Sequence, residues 1–294
     1  MTKVINEVYL GELGRLRYLA NRLLRIYPAY LLVVFATLLG LIIWPGYFSV
    51  YSLIRIPVDA EEWFSNLTLY RLTDSPTILI PPGWSLFVEM FFYVVIAILG
   101  RWRSVVFLWF VISFVYTVWM VINGLPFRDR YYPLAAASLF FSVGAGVYFI
   151  CQSAWMIRLF AWLPRVATWA AAALFVVFPI AVEALGGDRG MLGYYGASAV
   201  FLVIFISLVT RNQLDGGRWD RFLGDLAYPV FLTHFFSAGV VNLLTSNRFM
   251  VTSTINMVLS TAMCLAISVA FLKWVEPQIE KMRNRIRGRA AWAK

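Results

Sequence analysis

Two side chains that move protons sit in stretches of this sequence that are otherwise apolar. Glu89 closes the run Trp84-Ser85-Leu86-Phe87-Val88-Glu89 and is followed by Met90-Phe91-Phe92-Tyr93. His234, the single histidine of the chain, closes Tyr228-Pro229-Val230-Phe231-Leu232-Thr233-His234. A carboxylate can act as a general base, and an imidazole as base, acid or hydrogen-bonding anchor. Burying such a group in hydrocarbon costs at least ~2.5–3.5 kcal/mol on insertion scales, so each asks for a reason. For Glu89 the reason is either chemistry or a structural pairing with an arginine, and for His234 either chemistry or a satisfied ring in a core. Glu183 lies at the end of an apolar run and reads as an interfacial carboxylate.

The elements that carry these residues are spans. The chain is 61% hydrophobic and 14% charged, with a mean hydropathy of +0.75. An average soluble domain has roughly 45–50% apolar and 25% charged residues. A soluble fold would leave large greasy patches in water, so the solvent for most side chains is lipid. Backbone in lipid must pair internally, which leaves helices or closed barrels. The unbroken apolar runs are near the ~20 residues a helix needs, and they lack the alternation of barrel strands. The expected fold is an all-α polytopic transmembrane helix bundle of about eight spans: 26–44, 84–100, 104–122, 131–150, 165–185, 191–210, 225–245 and 252–273.

Basic residues orient the bundle. With the N-terminus inside, 19 of the 25 Lys and Arg residues face the cytoplasm, so both termini are expected there. The same distribution accounts for the net charge of +10 without nucleic acid. Residues 1–25 form a basic cytoplasmic segment, in which Leu16, Leu19 and Leu23 at helical spacing suggest an interfacial amphipathic helix or a simple anchor for the first span. Residues 26–273 form the transmembrane domain and 274–294 a basic tail. The connection 45–83 is long and shows no obvious secondary structure of its own, which favours a functional extracytoplasmic loop. Ser138, Ser142 and Gly146 repeat every fourth residue, as helices that approach closely require. Asn66-Leu67-Thr68 matches a glycosylation sequon. Cys151 and Cys264 fall in different runs and predict no disulfide. No phosphate loop, metal-ligand cluster or nucleophile elbow is present in the sequence.

Three motifs in order go beyond composition. Arg22-Leu23-Leu24-Arg25-Ile26-Tyr27-Pro28 opens a span, Pro82-Gly83-Trp84-Ser85-Leu86-Phe87-Val88-Glu89 follows the long loop, and Gly224-Asp225-Leu226-Ala227-Tyr228-Pro229 runs on to His234. With them, and with its ending Trp274-Val275-Glu276-Pro277, the chain resembles acyltransferase family 3, the membrane O-acyltransferases that include O-antigen acetylases. The resemblance implies transfer of an acyl group, commonly acetyl, from acyl-CoA in the cytoplasm to a hydroxyl of a cell-envelope glycan or lipid-linked sugar, in a bacterial inner membrane and without a bound cofactor. It gives catalysis to Glu89 and His234, and substrate binding to Arg22, Arg25, Trp84, Ser85 and Tyr228, the two arginines holding CoA phosphates. Ala227 and Phe231 stand where the family usually has a serine and a tyrosine. The resemblance also implies two further spans ahead of the first one here, with an arginine and a histidine about ten residues apart. The reading frame is therefore expected to begin late, and a chain without those spans to be inactive. The rival reading is a small-molecule or glycan transporter using Glu89 and His234 as a proton relay, although no internal repeat supports it.

Overall fold

A computed structural model describes the chain except residues 12, 71, 156–157, 159–164, 185–192, 211–216 and 288–294. The protein is an all-α membrane helix bundle, with no strand among the described residues. In chain order its helices are α1 (Thr2–Glu7), α2 (Gly14–Ile43), α3 (Pro45–Phe48), α4 (Ala60–Thr68), α5 (Trp84–Leu99), α6 (Arg103–Ile122), α7 (Phe127–Tyr131), α8 (Leu134–Ile150), α9 (Arg165–Ala184), α10 (Tyr194–Thr210), α11 (Gly217–Leu244), α12 (Thr254–Trp274) and α13 (Glu276–Arg287). Among the described residues, five apolar helices, 14–43, 81–99, 103–122, 217–244 and 254–274, are long enough to cross a membrane, and shorter apolar ones lie at 134–150, 173–182 and 194–206.

The chain forms two compact units, one of residues 1–7 and 98–217, the other of 8–97 and 218–294. In the first unit α6 packs on α8 through small polar groups: the Ser113 and Ser138 hydroxyls meet at 2.8 Å and Trp109 Nε1 donates to Ser138 Oγ at 2.8 Å. Ser142, one turn on, is fully buried. The small-residue spacing is thus a packing face, since without a hydrophobic drive in lipid helices associate through close approach and hydrogen bonds.

The second unit is built on α2. Its inward face is Tyr18, Ile26, Ala29, Tyr30, Val33, Thr37 and Leu41, while Leu32, Phe35, Leu39 and Ile42 are exposed, as lipid permits. The basic segment does not form a separate interfacial helix. From Gly14 on it is the first part of α2, because no residue between Gly14 and Ile26 breaks the helix and Tyr18, Asn21 and Arg22 turn inward to be buried, while Thr2–Glu7 form the short α1. Phe48 on α3 wedges its ring between two glycines; a Cβ on Gly40 or on Gly239 of α11 would come within 2.6 Å of it. Neither residue type larger than hydrogen fits, which explains both glycines.

The long connection is also ordered. Asp59 caps α4 by accepting from Glu62 N at 2.8 Å, and Leu69 ends it in the left-handed region at φ 66°. Ile54, Leu69, Leu72, Leu79 and Ile80 bury their side chains. Asn66 ties these turns together: its Nδ2 donates to Glu62 O at 2.9 Å and Thr77 O at 2.8 Å, and its Oδ1 accepts from Leu79 N at 2.8 Å. The Tyr30 hydroxyl donates to its carbonyl at 2.5 Å. Asn66 is 0% exposed, so in this fold the sequon is a structural asparagine whose amide no glycosylating enzyme can reach.

Candidate functional site

Within the second unit, α2 and α5 bring ionisable and phenolic groups together at one level. Tyr18 and Arg22 stand one turn apart on α2, and Glu89 and Tyr93 one turn apart on α5. The Arg22 guanidinium lies 5.3 Å from the centroid of the Tyr18 ring and 5.2 Å from that of Tyr93. The two rings meet edge to face at 6.2 Å, and Tyr9 extends the cluster at 5.8 Å from Tyr18. The Tyr93 hydroxyl donates to Glu89 Oε1. Two cation–π contacts offset part of the cost of desolvating Arg22. They leave its Nε–H, buried with the rest of a side chain that is 9% exposed, without a hydrogen-bond partner among the described residues. A buried guanidinium with an unmade bond attracts an anionic or strongly accepting ligand.

Tyr228 of α11 enters from the other side. Its hydroxyl donates to Ile26 O of α2 at 2.8 Å, and it lies within electrostatic reach of Glu89, Arg25, Tyr93 and Glu276. Of the seven residues expected from the sequence, four therefore converge: Arg22, Arg25, Glu89 and Tyr228. Ser85 sits one turn before Glu89, but its hydroxyl donates to Pro82 O at 3.0 Å and fixes the start of α5. Trp84 is the first residue of that helix and is partly buried.

His234 stands elsewhere. It is exposed on α11 and lines a cavity of about 280 Å³ with Asn256, Ser260, Thr261 and Cys264 of α12, to which Glu89 does not contribute. Its Nδ1 lies 2.9 Å from Phe231 O and 3.3 Å from Val230 O. A carbonyl can only accept, so these contacts are hydrogen bonds when the ring proton sits on Nδ1. Asn256 is itself held by Asn242 Oδ1 at 2.9 Å and accepts from Ser260 at 3.0 Å. The side chain of Glu183 lies outside the described residues.

Sequence reasoning missed Tyr18, Tyr93 and the tail helix. The signal for the tyrosines was present as two four-residue spacings, Tyr18 to Arg22 and Glu89 to Tyr93. The tail helix α13 reaches α2 through Arg283, whose Nε donates to Asn21 Oδ1 at 3.1 Å and whose Nη1 pairs with Glu280 at 2.7 Å and Glu276 at 3.7 Å. Burial pushes the Glu276 carboxyl above its ordinary value, while Arg283 pulls the other way.

The family model described as an acyltransferase domain matches residues 9–273 of the chain. No curated protein and no solved structure shows a significant match.

Proposed function

The chain belongs to acyltransferase family 3, and from that premise we propose that it transfers an acyl group, acetyl in the first instance, from acyl-CoA to a hydroxyl of a cell-envelope glycan or lipid-linked sugar in a bacterial inner membrane. The observation that supports this most is the Arg22 guanidinium, buried between two tyrosine rings with an open N–H and set beside the Glu89–Tyr93 pair. An anion site next to a base is what a charged thioester donor and a hydroxyl acceptor require.

In the proposed reaction Arg22 and Arg25 hold the phosphates of the donor. The acceptor oxygen attacks the thioester carbonyl, the O–C bond forms and the C–S bond breaks. Glu89 takes the hydroxyl proton as the bond forms, and the proton then passes to the departing thiolate. Tyr93 holds the Glu89 carboxylate in place, and Tyr228 borders the same space. His234, which lines its own cavity, is assigned to the acceptor as a second base or an anchor.

The test uses membranes holding the full chain, radiolabelled acetyl-CoA and cell-envelope glycan. Label moving to the glycan, and lost with Glu89→Gln, supports the reading. Hydrolysis or uptake of acetyl-CoA without labelled glycan overturns it.

A further inference from the structure

The first unit contains a cavity that the reaction above does not use. It has a volume of about 980 Å³, at the upper end of the ~300–1,000 Å³ usual for small-molecule sites. Helices α6, α8, α9 and α10 wall it, and seven phenylalanines line it. Away from Tyr195 at one end, its hydroxyls are bonded within their own helices: Thr117 Oγ1 donates to Ser113 O at 2.9 Å and Ser198 Oγ to Tyr194 O at 2.7 Å. What the wall offers is hydrocarbon contact.

The two ends differ. Along α10 the lining runs from Tyr195 to Phe205, which at ~1.5 Å per residue is roughly 15 Å, half of a ~30 Å bilayer core. At the Tyr195 end stands a cluster of interlocked rings: Phe127 stacks on Tyr131 at 5.1 Å, and Tyr131 meets Tyr132 at 5.4 Å and Tyr194 at 5.8 Å. Phe140, which lines the cavity, stacks on Tyr195 at 6.3 Å. Amphipathic rings gather where hydrocarbon meets headgroups, so this end is the interface and the other lies deep in one leaflet. Arg130 is at the same end. It is 8% exposed, its Nε donates to Leu125 O at 2.7 Å, and it reaches the Tyr195 hydroxyl. An apolar slot one leaflet deep, whose end ring Tyr195 is held by a buried guanidinium, matches a lipid with a phosphate below its polar head.

We propose that this cavity takes the hydrocarbon tail of the lipid-linked acceptor, with Arg130 at the phosphate that joins tail to sugar. The inference rests on the acyl-transfer reading for the identity of the lipid. The acceptor is favoured over bulk phospholipid because it has to be retained for reaction, and holding it by the tail leaves its hydroxyls free.

The experiment places the full chain in lipid nanodiscs with a polyprenyl phosphate whose tail carries a photoreactive diazirine, alongside the matching polyprenol and a diazirine-tailed phosphatidylglycerol. The expected result is labelling of the peptides holding Phe140 and Phe201 by the polyprenyl phosphate. Gly144 lines the slot and a Cβ there meets nothing within 4 Å, so Gly144→Leu obstructs it and lowers that labelling about tenfold, the loss expected from one or two obstructed apolar groups. Arg130→Gln lowers labelling by the phosphate probe about tenfold and leaves the polyprenol unaffected. Equal labelling of the same peptides by phosphatidylglycerol, or labelling unchanged in Gly144→Leu, overturns the proposal. Because photolabelling needs no turnover, tail binding in a protein that labels no glycan removes the acyl-transfer reading and keeps the lipid site. Transfer by a protein that binds no tail removes the lipid site alone.

Discussion

Arg22, Tyr93 and Glu89 divide their work in a way that substitutions separate. Tyr93→Phe keeps the ring under Arg22 and removes only the hydroxyl that donates to Glu89. A hydrogen bond to a charged group contributes ~1.5–3 kcal/mol, so transfer should fall roughly 10- to 100-fold in kcat with little change in KM for acyl-CoA. Arg22→Lys should do the reverse and raise KM, because an ammonium cannot lie flat between two rings or offer a fork of donors. Steady-state kinetics on purified protein read both, and a Tyr93→Phe enzyme with wild-type kcat removes Tyr93 from the site. Asn66 is decisive at the same scale for folding. Asn66→Asp turns a donor that faces two carbonyls into an acceptor, and should lower stability by about 3 kcal/mol, seen as a fall in Tm. Retained Tm together with a glycan on wild-type Asn66 would contradict its burial.

The helices are held to one another by single wedges and latches. Gly239→Ala drives a methyl into the Phe48 ring and should cost about 1–3 kcal/mol, as overpacking does. Phe48→Ala in the same chain should relieve part of that, and strictly additive Tm losses would show that the two do not touch. The tail helix depends on Arg283. Arg283→Gln leaves Glu276 and Glu280 without their partner and should release α13 to limited proteolysis, whereas the wild-type helix resists it. Glu276 acts in the opposite sense. Its folded-state value lies above the ordinary 4.5, so its contribution to docking is greatest below that pH and is lost as pH rises through the raised value. Glu276→Gln should flatten this dependence of protease resistance on pH, and a steeper dependence in that variant would refute the sign.

The distribution of arginines and lysines predicts the orientation of the whole molecule, with both termini inside. A cysteine placed at Ser49, which is exposed beside α3, should react with a membrane-impermeant thiol reagent in intact cells. Reaction only after lysis would invert the bundle.

Composition and run length by themselves determined that this is a bundle of apolar helices, because a backbone in lipid has no other way to satisfy its hydrogen bonds. Motif order by itself led to the family. Four-residue spacings on α2 and α5 already held the pairs Tyr18–Arg22 and Glu89–Tyr93, since one helical turn sets such neighbours. Only the tertiary structure decided that those two pairs face each other, because apolar helices carry almost no rotational signal when both core and lipid are greasy. For the same reason nothing in the sequence told that His234 lines a cavity to which Glu89 does not contribute. The long connection showed no periodicity because its order comes from one asparagine bridging Glu62, Thr77 and Leu79, and contacts of that range are set by the fold.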